Sequence, residues 1–212
     1  MSTEIARLTQ NVRGKGVEDV AETQEPSQEI VDEFVGVAHG DLKRLKELVA
    51  AYPSLVTANA SWNETPLSAA TQVGDRSIVE FLLAQGVAMD IFAATILGLT
   101  DQVVAFLTAD PGLAQATGAH GIPIMWYPAI SGHLEIAEIL VRYGADVNAG
   151  AGGNTALHGA ALFGQIGAVA WLLAHGAVAN AQNYEGKTAL ALASERGHAA
   201  IVDLLRQYGG TE

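Results

Sequence analysis

The sequence predicts an all-α repeat: about six helix-turn-helix units stacked as a solenoid, joined by short hairpin-like fingers, with the finger of the third unit missing. Three observations predict it. Glycines recur at 40, 74, 98, 132, 164 and 197, at spacings of 34, 24, 34, 32 and 33 residues, each behind an Ala-rich segment. Twelve residues after four of them come Gly86, Gly144, Gly176 and Gly209, each closing a stretch such as IVEFLLAQG whose apolar residues fall at i, i+3, i+4. Finally, half of the 212 residues are hydrophobic but only 6% are aromatic, and 23 are Gly, which suits small, closely packed helices and disfavours an all-β chain.

Taken in order, the expected units cover residues 29–60, 61–90, 91–118, 119–149, 150–181 and 182–210, within a repeat domain of 29–212. In units one and three, Pro53 and Pro111, followed by Leu55 and Leu113, stand in place of the closing glycine. An offset of 58 residues superposes Asp32 on Asp90, Gly40 on Gly98, Gly74 on Gly132 and Gly86 on Gly144, so the first four units look like a duplicated pair. Thr65, Thr155 and Thr188 sit where inner helices begin and offer hydroxyls to unpaired backbone N–H groups, and Pro66 takes a first-turn position that needs no donor. Small pairs such as Ala69-Ala70 and Ala160-Ala161 allow close helix approach, while Leu82, Leu83, Leu172 and Leu173 fill the layer behind them. Arg206 replaces the Leu or Val of other units, as an end repeat facing water requires. Residues 1–28 fall outside the pattern and read as a mobile tail in preference to an extra capping helix.

The segments ETPLSAATQVGDRSIVEFLLAQG, NTALHGAALFGQ and GKTALALASERGHAAIVDLL resemble the ankyrin repeat family with its T-P-L-H-x-A-A-x-x-G-H pattern, over about residues 29–210. DIFAATILG and HGIP are similar to stretches of bacterial ankyrin proteins. The resemblance implies stacked helix pairs with a concave binding face and a protein partner. It implies structural hydrogen-bonding roles for His133, His158 and His198, and names no activity.

Two departures sit side by side. The nine-residue deficit between Gly74 and Gly98 removes the third finger, so fingers two and four should flank a notch. The fourth unit, HGIPIMWYPAISG, puts Pro128 where it should kink or shorten an inner helix. Trp62 and His120 on the fingers, with Ile96, Leu97, Trp126 and Tyr127 below, line that notch or plug it. On the concave face, the pairs Ile96-Leu97, Ile130-Ser131 and Leu162-Phe163 hold five large apolar side chains and no charge. This reads as a binding groove, or as a surface buried under a neighbouring loop or second copy. The candidate contact residues are Trp62, Val73, Ile96, Leu97, His120, Ile122, Trp126, Tyr127, Ile130, Leu162 and Phe163. A second uncharged face, Gly167, Ala170, Trp171 and Ala174, offers homodimerisation, against the plainer account of one half-exposed Trp on a low-charge helix.

Composition bounds the chemistry. A net charge of −12 without a dense Lys/Arg cluster argues against nucleic acid. Polar residues and glycines interrupt every membrane-length apolar run, so a cytoplasmic protein is expected. There are no cysteines, no two histidines lie within 12 positions, and neither a nucleophile elbow nor a phosphate loop with its lysine is present. No cofactor, metal or catalytic residue is therefore expected. Gly150-Ala151-Gly152-Gly153 fits a flexible fingertip better than an anion nest. The leading expectation is a non-catalytic protein-binding module with an apolar concave groove, favouring a partner with a basic rim. The alternative is a small-molecule or enzymatic site in the notch.

Overall fold

In a computed structural model, which describes residues 25–211, the chain is a row of six antiparallel helix pairs. The pairs are α1 (Gln28–Val37) with α2 (Leu42–Ala51), α3 (Pro66–Val73) with α4 (Arg76–Ala84), and α5 (Ile91–Leu97) with α6 (Thr100–Ala109). Then follow α7 (Trp126–Ser131) with α8 (Leu134–Arg142), α9 (Ala156–Leu162) with α10 (Ile166–Ala174), and α11 (Ala189–Glu195) with α12 (Ala199–Gln207). Inner helices stack on inner helices and outer on outer, and one continuous apolar core runs from Val31 to Leu205. The expectation for residues 1–28 lies, except for its last four residues, outside the described part.

Most inner helices start on a side-chain cap. Asp90 Oδ1 accepts from the Ala93 amide at 2.7 Å, Thr188 Oγ1 from Ala191 at 3.2 Å, and Thr65 and Ser68 exchange bonds in a reciprocal box behind Pro66. Asp75 caps α4 and Asp101 lies in the first turn of α6, as acidic residues at helix N-termini should. Thr155 starts α9 in a capping box with His158, whose Nδ1 accepts from the Thr155 amide at 3.3 Å and lies 2.8 Å from the Thr155 hydroxyl. The fingers are thinner than hairpins. Among the described residues they carry only two isolated antiparallel bridges, Thr117 with Pro123 and Gln182 with Thr188. Between α4 and α5 only residues 85–90 intervene, and no finger forms there. Helix α7 is the shortest at six residues and begins at Trp126, which leaves Pro128 in its first turn, where a missing amide donor is tolerated.

A ladder of side-chain bonds joins each of the last three pairs to the one before. His133 Nε2 reaches the Ile96 carbonyl at 3.2 Å, Gln165 Nε2 the Ile130 carbonyl at 2.9 Å, and His198 Nε2 the Leu162 carbonyl at 3.3 Å. Each donor directly follows a recurring glycine, and each acceptor lies two residues before the preceding one. The corresponding residue after Gly98 is Leu99, which cannot donate. The rung to Gln72 is supplied instead by Trp126 Nε1, 3.0 Å from the Gln72 carbonyl, from a helix two units away. Trp126 thus spans the fingerless unit, with Ile130 beside it against Gly74.

His158 is buried among such contacts. Its Nε2–H faces the Ala181 and Lys187 carbonyls at 3.0 and 3.1 Å, which leaves Nδ1 as the acceptor toward Thr155. Burial pulls its pKa below the usual imidazole value, against the two carbonyl bonds that raise it.

Two outcomes follow from this packing. Because the unfolded chain takes up the His158 proton before the folded one does, stability should fall as pH drops from about 7 through the depressed folded pKa. His158→Gln should flatten that slope in urea unfolding between about pH 7 and 5; equal slopes would place the pH dependence elsewhere. Trp126→Ala should cost about 3–5 kcal/mol and tend to split unfolding at the central junction. Trp126→Phe, keeping the ring but losing the rung, should cost about 1–3 kcal/mol, so an alanine variant as stable as the parent would rule out the spanning role.

Candidate functional site

The eleven candidate contact residues separate by burial. Ile96, Leu97, Ile122, Trp126, Tyr127 and Ile130 are all buried, Val73 and Leu162 are half-buried, and Trp62, His120 and Phe163 are exposed, Trp62 at 44% and Phe163 at 38%. The expected open apolar stripe is therefore filled at its centre. Across the missing third finger α7 packs against α3, with Trp126 bonded to the Gln72 carbonyl and with Ile130 and Ile96 both meeting at Gly74. A β-carbon on Gly159 would stand 2.7 Å from the Trp126 ring, so the next inner helix also presses against it. Phe163 packs edge-on to Trp126 at 6.3 Å between centroids, leaving its outer edge in solvent.

Two open spaces flank this plug. One is a cleft of about 430 Å³ on the concave side, where Gln72 of α3 meets the fourth, fifth and sixth fingers at His120, Ile122, Gly150, Asn154 and Tyr184. Tyr184 is 70% exposed on the sixth fingertip. In the glycine run, the Gly153 amide is already spent on the Gly150 carbonyl at 2.8 Å, so it is one donor fewer for an anion. The second space, about 410 Å³, is the notch itself, and its walls are polar where sequence reasoning expected apolar residues. Asn59 and Asn63 stand on one side, Gly118 to His120 on the other, and Asp90, Phe92 and Tyr127 below.

Between the two spaces lies a buried carboxylate that sequence reasoning passed over. Glu64, 2% exposed, directly precedes the Thr65 cap, where the fifth and sixth units carry Asn154 and Lys187. Its Oε2 accepts from Trp62 Nε1 at 2.7 Å and lies 3.4 Å from His120 Nε2, while Oε1 lies 3.6 Å from His39 Nε2 without a hydrogen bond among the described residues. Glu64 thus ties Trp62 and His120, the two exposed finger residues, to one centre across the gap. Asn154 and Tyr184 were also missed. A polar residue before a capping threonine and an aromatic at a fingertip are visible only once the register of all fingers is fixed.

Elsewhere, Trp171 is partly buried, stacked on His175 at 3.9 Å and 3.4 Å from Glu138 Oε1 through Nε1. Much of its ring is engaged within its own subunit. Among the described residues no group of three or more His, Cys, Asp or Glu could hold a metal, and no helix is long and apolar enough to cross a membrane.

The family model for ankyrin repeats, three copies long, matches residues 34–150, 91–183 and 129–212. Over 106 residues the chain is 37% identical to a mouse (Mus musculus) protein described as protein fem-1 homolog A-like, a match covering 46% of this chain and 16% of that protein. The chain thus spans well under two thirds of that relative's length. The repeated caps, the glycine-to-carbonyl rungs and a family match over most of its residues agree that this chain belongs to the ankyrin repeat family.

Proposed function

We propose that the chain is a non-catalytic binding module that holds an extended segment of a cytoplasmic protein across its concave face. The observation that carries this reading is the 430 Å³ cleft between the fingertips, with exposed Phe163 one ring away through Trp126 and exposed Trp62 one carboxylate away through Glu64. An extended peptide presents backbone donors and acceptors that suit the amides of Gln72 and Asn154, while Tyr184, Phe163 and Trp62 supply large rings that order few rotors on contact. Gln72 Oε1 is buried without a partner among the described residues, a further acceptor for such a backbone. The buried members of the candidate set support these contacts from beneath.

Residues 51–146 hold nine acidic and two basic side chains, so a partner with a basic rim should associate faster at low salt. Homodimerisation through the Trp171 face stays a subordinate proposal. A separate small-molecule site in the notch is favoured by its own 410 Å³ cavity and by its polar walls.

The test uses the purified chain and a partner identified by capture and then purified. Phe163→Asp and Tyr184→Ala should leave the urea midpoint within experimental scatter and weaken partner binding by at least about tenfold in calorimetry. Trp171→Glu, on the convex side, should change neither. Binding that survives both concave substitutions, or is lost with Trp171→Glu alone, would move the interface off this face.

A further inference from the structure

The notch left by the missing third finger brings a carboxylate and a phenol hydroxyl onto one cavity wall. Its floor is the Phe92 and Tyr127 ring pair, centroids 4.7 Å apart, with Asp90 at the start of α5. Its near wall is the Asn59–Asn63 side-chain pair, joined at 2.9 Å, and the hydroxyls of Thr65 and Ser68. No Lys or Arg lines it. Tyr127 is 1% exposed, and its hydroxyl has no hydrogen-bond partner among the described residues. That hydroxyl lies against Gly118 on the far wall, so closely that a β-carbon there would collide with it. Asp90 uses Oδ1 on its cap bond.

The one basic side chain on the cavity wall, His120, faces Glu64 at 3.4 Å, and among the described residues Asp90 makes no ion pair. Burial pushes the Asp90 carboxyl above the ordinary carboxylate value despite backbone N–H bonds that lower it. Burial first, then the charges of Asp90 and Glu64, push the Tyr127 hydroxyl up as well. A ligand that brings hydrogen-bond donors and positive charge meets both needs. An anion meets a carboxylate, and a neutral polyol leaves the charge uncompensated.

We propose that this cavity binds a primary ammonium group carried on a short alkyl chain. The three N–H donors of the ammonium go to Asp90, to the Tyr127 hydroxyl oxygen and to a neighbouring side-chain oxygen of the near wall, while the first methylenes lie on the half-buried Phe92 ring. The proposal deepens the small-molecule reading of the notch by naming its ligand class, and it is independent of the concave face.

The experiment titrates the full chain with n-butylammonium, 1-butanol and n-butyrate, following backbone amide shifts by NMR, and repeats it with Asp90→Asn and Tyr127→Phe. Asparagine keeps the cap acceptor and phenylalanine keeps the ring stack, so both variants should retain the parent's melting temperature. Saturable shifts at Asp90, Phe92 and Gly118 with n-butylammonium alone are expected, weakened about tenfold or more by Asp90→Asn and severalfold by Tyr127→Phe. Titration with 1,5-diaminopentane and with Nα-acetyl-lysine amide then tells a free amine from a lysine side chain of a protein, according to which binds more tightly. If 1-butanol binds as well as the amine and Asp90→Asn changes nothing, the ammonium assignment falls while the small-molecule cavity stands. If no probe gives a saturable shift, both fall.

Discussion

Three junctions of the stack are held in register by one recurring contact, a side chain just past the left-handed Gly132, Gly164 or Gly197 that bonds a carbonyl near the end of the preceding inner helix. The glycine serves this contact twice. Its positive φ turns the chain from inner to outer helix, and its missing β-carbon gives the donor room. At Gly98 and Gly164 the imidazoles of His133 and His198 lie where a side chain would otherwise project, with ring carbons 2.7 and 2.9 Å from an ideal β-carbon. Replacing either glycine would both strain the turn and displace the rung. Rigid helices alone would slide on one another, since apolar packing is non-directional. The directional bonds fix how far each pair advances.

The centre of the molecule shows what happens when the donor is lost. Leu99 cannot donate and the third finger is absent, so the rung to Gln72 has to come from farther along the chain, and only a long side chain with an N–H at its far end can supply it. Trp126 meets that requirement from α7. The deletion, the Pro128 that postpones the start of α7 and the ring pair Trp126-Tyr127 are therefore one solution to one spacing problem. A shortened inner helix brings its first residues toward the gap, and the two rings divide the space, Trp126 toward the concave side and Tyr127 toward the notch.

The fold was legible because its signal is periodic. The glycine step recurs six times, capping residues and i, i+3, i+4 patterning accompany most of its copies, and even the missing finger could be read from a deficit of nine residues. The site was less legible, because register tells which residues face the concave side but not how closely neighbouring units approach. Ile96, Leu97 and Ile130 occupy positions that are open in an evenly spaced array and are closed here by the local compression. The notch was foreseen, but its polar lining was not. The Asn59–Asn63 pair and Asp90 come from two separate segments, and only the folded backbone brings them together. Glu64 carried no signal at all, since a glutamate before a capping threonine reads as an ordinary surface charge.

The spanning tryptophan also bears on the mechanics of the array. A solenoid joined only between nearest neighbours behaves as a uniform spring, each junction flexing by a similar small angle when the ends are displaced. Here the junctions on either side of α5 are clamped by a bond that passes over them, so the middle of the spring is stiffened and its curvature fixed. Bending of the array is thereby displaced from its centre toward its ends.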